Sequence, residues 1–502
     1  MAETETLVTP VPAEAQTVTV APPDAFLVAL KKELRPKDSA AEARIKAAVD
    51  TLSRQALQSA GLVSADVVKS IQAIISQLDR KLGEQIDQIL HHPDLQALEG
   101  SWRGLQHLVT TTETDELLKI KVMHVTKGEL AKSLERFEGT AWDQSPLFKK
   151  IYTSEYSTLG GHPFGCLVGD YAFDNSARDV RMLRNLAKVA AAAHSPFIAG
   201  AAPSLFNMES WQELMNPRDL AKITATPDYA SWNALRQSED SRYICLAMPR
   251  VLARLPYGAK TMPVDGFAFE EATDGSDHHR YTWMNAAWAM AANINRSFKL
   301  YGWCSRIRGV ESGGAVTDLP VHTFPTDDGG VAMKCPTEIA IDDRREAELA
   351  KLGLMPLLHK KNTDTAVFVG AQSLQKPIEY TDPQATANAN LSARLPYLFA
   401  VCRFAHYLKA IARDKVGSFK ERDDMQRWLQ DWINLYVDGN PEFSSEVVKS
   451  QKPPRAAEVV VEDVEGNPGY YTARFYLRPH YQLEGLTASL RLVTRLPSAK
   501  AA

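Results

Sequence analysis

A chain of 502 residues, 45% hydrophobic and 24% charged, can bury a large core and divide into two or more domains. Its formal net charge of -4 and the absence of a Lys/Arg-rich run leave no electrostatic footprint for nucleic acid. No apolar stretch approaches the roughly 18 residues of a membrane span, and MAETETLVTPVPAEAQ has neither the basic start nor the apolar core of a signal peptide.

Residues 1–22 are rich in Thr, Val, Pro, Ala and Glu and read as an extended or disordered start. Pro22, Pro23 and Asp24 introduce a short amphipathic segment with Phe26, Leu27, Leu30 and Leu34 on one side, ended by Arg35 and Pro36. A short helix between flexible flanks cannot bury that face locally, so it either docks back or binds a partner. A long helical pattern over 63–90 (Val67, Ile71, Ile74, Leu78, Leu82, Ile86, Ile89) precedes a second, with Leu95, Leu98, Trp102, Leu105 and Val109 on one stripe. Leu118, Ile120 and Val122 alternate with Lys119 and Lys121, predicting a half-exposed strand. Thr126 and Glu129 form a capping box that opens a helix through Leu134.

The clearest unit follows. Phe164 to Val168 reads as a buried strand closed by Gly169 and Asp170. Ser176 with Asp179 starts a helix whose apolar stripe is Val180, Leu183, Leu186, Ala187 and Ala190, with Arg181, Arg184 and Lys188 opposite. His194, Ser195 and Pro196 break it, and Phe197 to Gly200 is the next strand, completing a βαβ unit. No glycine-rich phosphate loop follows the first strand, so this unit builds architecture. Tyr243 to Met248 is a further strand closed by Pro249, Glu270 to Arg280 a polar loop, and Trp283 to Phe298 a helix of small residues. Thr365 to Gly370 adds another strand.

A composition break over Ile378–Asn390 separates the last section. Leu398, Val401, Ala405, Leu408 and Ile411 define a helix after Pro396, and Ser418 with Glu421 caps a second bearing Met425, Trp428, Trp432 and Leu435. Val459 to Val464 and Tyr471 to Leu477 flank Asn467, Pro468 and Gly469 as a hairpin. Near the end, Leu490, Leu492 and Leu496 alternate with Ser489, Arg491, Val493 and Arg495. Such a terminal strand pairs within its own sheet, which the sequence alone favours, or adds to the sheet edge of another chain. The domain reading is therefore a flexible arm (1–60), a main α/β region (61–375) and a C-terminal section (376–502) of a helical pair, a hairpin and a terminal strand.

The search for chemistry returns little. Asp274, Asp277, His278 and His279 are the best metal-like cluster, but adjacent histidines diverge and no second ligand pair sits at ligand spacing, so a solvated loop is expected. His91 and His92 suit a helix C-terminus. Arg306 to Gly314 is a glycine turn whose amides suggest an anion cradle only weakly. Gly258, Ala259, Lys260 and Thr261 lack the Gly-Lys pair and upstream Gly of a phosphate loop. Glu239, Asp240, Arg242, Arg250 and Arg254 read as ion pairs rather than an acid–base site. Cys166, Cys245, Cys304, Cys335 and Cys402 are scattered through mostly apolar runs, the pattern of reduced thiols in a cytoplasmic protein. No catalytic constellation, cofactor site or metal site is assigned.

Ordered blocks along nearly the whole chain resemble the large subunit of the type VI secretion contractile sheath, the TssC/VipB family. They are LEGSWRGLQHLV (98–109), GDYAF (169–173), AHSPFIAGAAPSLF (193–206), LRQSEDSRYICLAMPRVLARLPY (235–257), SGGAVTDLPVH (312–322), QKPIEY (375–380), ARLPYLFAVCRFAHYLK (393–409), DVEGNPGYY (463–471) and LRPH (477–480). The first sixty residues match least. The resemblance implies an α/β, phage-tail-sheath-like subunit without enzymatic activity. It implies pairing with a small sheath subunit (TssB/VipA type), stacking in helical rings around an inner tube (Hcp type), attachment to a baseplate, and disassembly by a ClpV-type AAA+ unfoldase. It turns the terminal segment, with Leu490, Leu492, Val493 and Leu496, into a strand exchanged between subunits. It also makes Phe26, Leu27, Leu30 and Leu34 a candidate recognition face for the unfoldase. The competing readings are a cytoplasmic α/β enzyme using the 274–279 or 306–314 loops, and a scaffold that does not polymerise.

Overall fold

A computed structural model of the chain describes residues 39–41, 43–44, 46–47, 67–216, 218–275, 277–326, 328–415, 421–464 and 471–482. Described residues within Met1–Gln96 and Leu255–Tyr281 form one compact unit, and those within Ala97–Arg254 and Thr282–Ala502 form the other. The first is built on helix α1 (Val67–Leu90) and the loop of Leu255–Tyr281. Gly83 leaves room for the Phe269 ring, the Asp87 carboxylate accepts the Ala272 amide at 3.2 Å, and His91 Nε2 meets Glu271 Oε1 at 3.2 Å.

The second unit is organised by a six-stranded sheet. Its strands are β1 (Leu167–Phe173), β2 (Phe197–Ala201), β3 (Ile244–Met248), β4 (Ala315–Val316), β5 (Leu354–His359) and β6 (Ala366–Phe368), in the order β1-β2-β3-β5-β6-β4. The first four in space are parallel, and β6 pairs antiparallel with both β5 and β4. Every residue of β2 and β3 is buried, because helices cover both faces. Phe197, Ala199 and Ala201 point to the layer of α4 (Ala177–Ala193), with Val180, Leu183, Leu186 and Ala190. Ile198, Cys245 and Ala247 point to the opposite layer, with Ala287, Met290 and Ile294 of α5 (Ala286–Tyr301) and Leu398 and Cys402 of α6 (Leu395–Lys415). Pairing of alternate residues to alternate faces is what period-two side-chain geometry dictates.

Two of the three expected caps hold; at the third, Glu421 is itself the N-cap of the helix Arg422–Asn434 with no side-chain cap bond, and Ser418 lies outside the described residues. Thr126 Oγ1 accepts the Glu129 amide at 3.2 Å while Glu129 Oε2 accepts the Thr126 amide at 3.0 Å, opening α3 (Lys127–Arg136). Ser176 Oγ accepts the Asp179 amide, freeing the Asp179 carboxylate to take Lys127 Nζ at 2.6 Å and tie α3 to α4.

Three sequence boundaries move. β1 begins at Leu167 and continues through Gly169 rather than stopping there. A Cβ on Gly169 would run into the Phe197 ring, so this glycine marks a close cross-strand approach, not a strand end. Trp283–Met284 is a short strand pairing Val251–Leu252, and α5 starts only at Ala286 under an Asn285 cap. Residues 118–122 form no ladder; Ile120 instead packs with Leu108, Ala291 and Ala292. Helix α2 (Pro93–Thr110) also docks unexpectedly. It buries Gly100, Gly104 and Leu108, and leaves Leu98, Trp102 and Val109 about half exposed or more (55%, 65% and 50%).

Where α4 ends, His194 adopts a left-handed cap (φ 48°) and the His406 imidazole sits against the Ala193 carbonyl at 2.9 Å. Tyr156 and His194 pack edge-on to His406, and Lys409 lies over the Tyr152 and Tyr156 rings. Burial, opposed in part by that carbonyl and reinforced by His194 and Arg403, pulls His406 from its ordinary 6.5 down to about 4. A base whose folded value is depressed stays neutral in the fold while the unfolded chain takes up a proton. Stability is therefore complete above about pH 6.5 and falls between there and about pH 4. This group alone should cost about 2 kcal/mol between pH 7 and pH 5. Urea midpoints measured at the two pH values should show that loss, and His406→Gln should remove most of it; equal pH dependence in the two proteins would assign the loss elsewhere.

Candidate assembly interface

The C-terminal hairpin carries the most specific polar geometry. Strand β7 (Pro454–Asp463) pairs antiparallel with β8 (Tyr471–Pro479) as a separate two-stranded sheet. One face packs on helix α7 (Arg422–Asn434): Val459 and Val461 are buried with Leu429 and Ile433, and Tyr471, Phe475 and Leu477 pack against them. Trp303, Phe404 and Tyr436 close this core, with the Arg403 guanidinium 4.8 Å from the Trp303 ring centre. The other face carries Arg474 paired with Glu462 at 3.2 Å. Two strands alone are marginal in water, so α7 supplies the hairpin's stability.

The two edges of this sheet differ. Gln430 Oε1 accepts the Val459 amide at 2.9 Å and Gln430 Nε2 donates to the Ala457 carbonyl at 3.0 Å, while Gln426 Oε1 accepts the Val461 amide at 3.0 Å. Two glutamines one turn apart on α7 thus imitate a neighbouring strand and close the outer edge of β7. Because the Val459 and Val461 amides point away from β8, the pairs Val459–Phe475 and Val461–Ala473 are the non-hydrogen-bonded ones. Ala473, Phe475 and Leu477 therefore turn their own N–H and C=O groups out along the far edge of β8. Among the described residues nothing pairs with that edge. An open row of main-chain donors and acceptors is a template for strand addition.

The chain leaves the hairpin from a fixed point. Asp438 accepts Ser444 Oγ at 2.8 Å and lies 3.5 Å from His480 Nε2, and the His480 amide donates to the Pro453 carbonyl. Gln482 is held by the Tyr397 hydroxyl at 3.0 Å, the Ser305 carbonyl at 2.8 Å and Arg308 Nε at 2.8 Å. Leu490, Leu492, Val493 and Leu496, and Phe26, Leu27, Leu30 and Leu34, lie outside the described residues.

The other candidates dissolve into structure. In the 306–314 turn the Gly309 amide donates to Phe368, the Gly314 amide to Gly309, and Arg296 Nη2 binds the Gly313 and Ala315 carbonyls at 3.0 and 2.6 Å. Those two amides are spent on the fold. Glu270 accepts the Ala259 amide, so a carboxylate occupies the place a phosphate would need at 258–261. Asp277 caps the short turn His278–Arg280, and no group of three metal-ligating side chains gathers among the described residues. Arg254 pairs with Glu99 at 2.6 Å and Arg250 with Glu338 at 2.6 Å, not with Glu239 or Asp240. Desolvation opposes, but Arg254, Thr282 and Arg103 outweigh it and hold the Glu99 carboxyl below the usual range. Among the described residues no helix is long and apolar enough to cross a membrane. The edge-closing glutamines escaped sequence reading; their only signal is the spacing of Gln426 and Gln430 beside the apolar stripe of α7.

Two family models match the chain: "EvpB/VC_A0108, tail sheath N-terminal domain" over residues 72–375, and "EvpB/VC_A0108, tail sheath gpW/gp25-like domain" over 384–496, which contains the hairpin. The Type VI secretion system sheath protein TssC1 of Pseudomonas aeruginosa is 67% identical over 477 residues, covering 95% of this chain and 96% of that protein. Similar solved structures include a chain of the anti-feeding prophage baseplate (TM-score 0.38, 11% identity, 76% of this chain and 84% of that one). Another is the anti-feeding prophage helical sheath in its contracted state (TM-score 0.35, 12% identity, 78% and 86%).

Proposed function

The chain belongs to the EvpB/VC_A0108 tail sheath family, and from that premise we propose that its hairpin is the joint through which successive subunits of a type VI secretion sheath hold one another. It is a structural sheath subunit. In this reading the segment bearing Leu490, Leu492, Val493 and Leu496 leaves its own chain after Gln482 and adds to the open β8 edge of a neighbour. The observation that carries it is the asymmetry of the hairpin: β7 is closed by Gln426 and Gln430, and β8 offers the free ladder. Main-chain bonds would supply affinity, and the alternating leucines would fix register, because a one-residue slip reverses every side chain. Such a strand is also a tether that survives rigid-body movement of the domains it joins.

The polymer would form with a small sheath subunit of the TssB/VipA type in the cytoplasm, around an Hcp-type inner tube and from a baseplate. Its contraction would release interface energy stored at assembly, so the role needs neither a catalytic residue nor a cofactor. Leu492→Asp should abolish polymer formation with the small subunit while the soluble heterodimer survives on gel filtration; sheath yield equal to the parent would refute the exchange. The segment with Phe26, Leu27, Leu30 and Leu34 would be the face taken by a ClpV-type unfoldase. Deleting residues 24–36 should leave contraction intact and eliminate binding of the unfoldase's N-terminal domain, and undiminished binding would remove that role.

A further inference from the structure

A groove of about 400 Å³ runs between the C-terminal half of α3 and the N-terminal half of α4. Its walls are fixed by the Lys127–Asp179 bridge and by Leu130, Leu134 and Met182, buried in one core beneath it. Arg178, Arg181, Met182 and Asn185 line it from α4, because residues three and four apart share a helix face. Asn185 is the odd member. It is only 4% exposed, and neither its Oδ1 nor its Nδ2 has a hydrogen-bond partner. A buried amide left unpaired costs stability, so the fold keeps here one donor and one acceptor that its own atoms do not satisfy. The charges at the mouth are also unevenly matched. Arg181 pairs with Glu135 at 2.5 Å and lies 4.0 Å from Glu138, while the Glu129 carboxylate is committed to its Thr126 cap. Lys132 and Arg178, both exposed, enter no ion pair among the described residues, and the Arg178 guanidinium lies close to Gly128 of α3. Among the described residues no aromatic ring lines the groove to stack a base or a sugar.

We propose that this α3–α4 groove binds an extended acidic peptide segment of another polypeptide, with Asn185 holding its main chain and Arg178 and Lys132 its carboxylate. The N–H and C=O of one extended residue point the same way, so Asn185 Oδ1 accepts the first and Nδ2 donates to the second. Arg178 to Asn185 spans two turns of α4, about 10 Å, which is the length of about three extended residues. A carboxylate two or three positions along the peptide therefore meets Arg178 and Lys132. The half-exposed Arg181 side chain, held by the exposed Glu135 and Glu138, swings aside to admit the main chain. The buried amide fixes the register of the peptide, and the rim cations select acidic sequences and speed encounter. The sheath reading rests on the C-terminal hairpin, and this proposal does not depend on it.

The test is fluorescence anisotropy of a labelled peptide of alternating glutamate and serine, titrated with the full-length protein. Binding should saturate, weaken with added salt, and fall at least about tenfold when glutamine replaces every glutamate of the peptide. Arg178→Glu, a change at an exposed position, should also weaken it at least about tenfold. Asn185→Leu should do the same, yet its thermal unfolding midpoint should be no lower than that of the wild type. It exchanges an unpartnered buried amide for an apolar side chain of nearly the same size. A lowered midpoint in Asn185→Leu, or a failure of that variant to fold, would mean that the fold itself uses the amide and would overturn the proposal. No saturable binding to the wild type would overturn it, as would equal binding of the two peptides or unchanged binding by either variant. Free glutamate competing as well as the peptide would show a small-molecule site in place of a peptide groove.

Discussion

Ala473→Pro should leave the hairpin and the soluble protein folded and reduce sheath assembly at least about tenfold, because it removes one outward N–H from β8 and none from the ladder. The register decides this. Ala473 faces Val461, whose amide is already committed to Gln426, so both residues of that pair turn their main chains away from each other. Proline is tolerated where the strand N–H faces solvent, and the direct cost should stay near about 1 kcal/mol. One residue on, Arg474 faces Val460 in the hydrogen-bonded register. Arg474→Pro should break the ladder, cost about 2–3 kcal/mol and lower the unfolding midpoint of the soluble protein. Sedimentation of assembled sheath, beside thermal unfolding of the soluble protein, separates the two. Normal assembly by a folded Ala473→Pro protein would mean that β8 is not the edge used.

Gly100→Ala should destabilise the second unit by about 2–3 kcal/mol, the reverse of what helix propensity predicts. Alanine in a helix interior normally gains about 1 kcal/mol over glycine. At Gly100 the added methyl would meet the Trp283 carbonyl, a backbone atom with no rotamer to escape into. At Gly104 it would meet the Trp288 ring, which can turn, so that change should cost less. Gly128 in α3 has only the end of Arg178 nearby, at 3.5 Å, and Gly128→Ala should be neutral or stabilising by up to about 1 kcal/mol. Chemical unfolding of the three variants gives the order directly. A stabilised Gly100→Ala protein would show that α2 does not dock through its glycine face.

What the sequence made legible follows from where the physics is local. Ser176, the Val180–Ala190 stripe and the Phe197–Gly200 run sit in one βαβ unit, and short-range periodicity is enough to place them. Asn467-Pro468-Gly469 likewise predicts two strands whose pairing the fold bears out on either side of that turn. The misplacements come from long-range partners. Gly169 reads as punctuation until the Phe197 ring is set over it, and Leu98 and Trp102 read as a core stripe until the glycines behind them take the buried side. The edge closure by Gln426 and Gln430 has no sequence signature beyond spacing, since a glutamine facing solvent looks the same as one imitating a strand. The proposed exchanged strand was legible as an alternating pattern, but its partner edge became visible only once the hydrogen-bond register of the hairpin was known.

The central claim is that this chain is a polymerising sheath subunit, and the most direct test is negative-stain microscopy of the full-length protein co-produced with the proposed partner, a small sheath subunit of the TssB/VipA type. The account predicts hollow, cogwheel-ended tubes. Monodisperse particles at every concentration, with neither rings nor tubes, would contradict it.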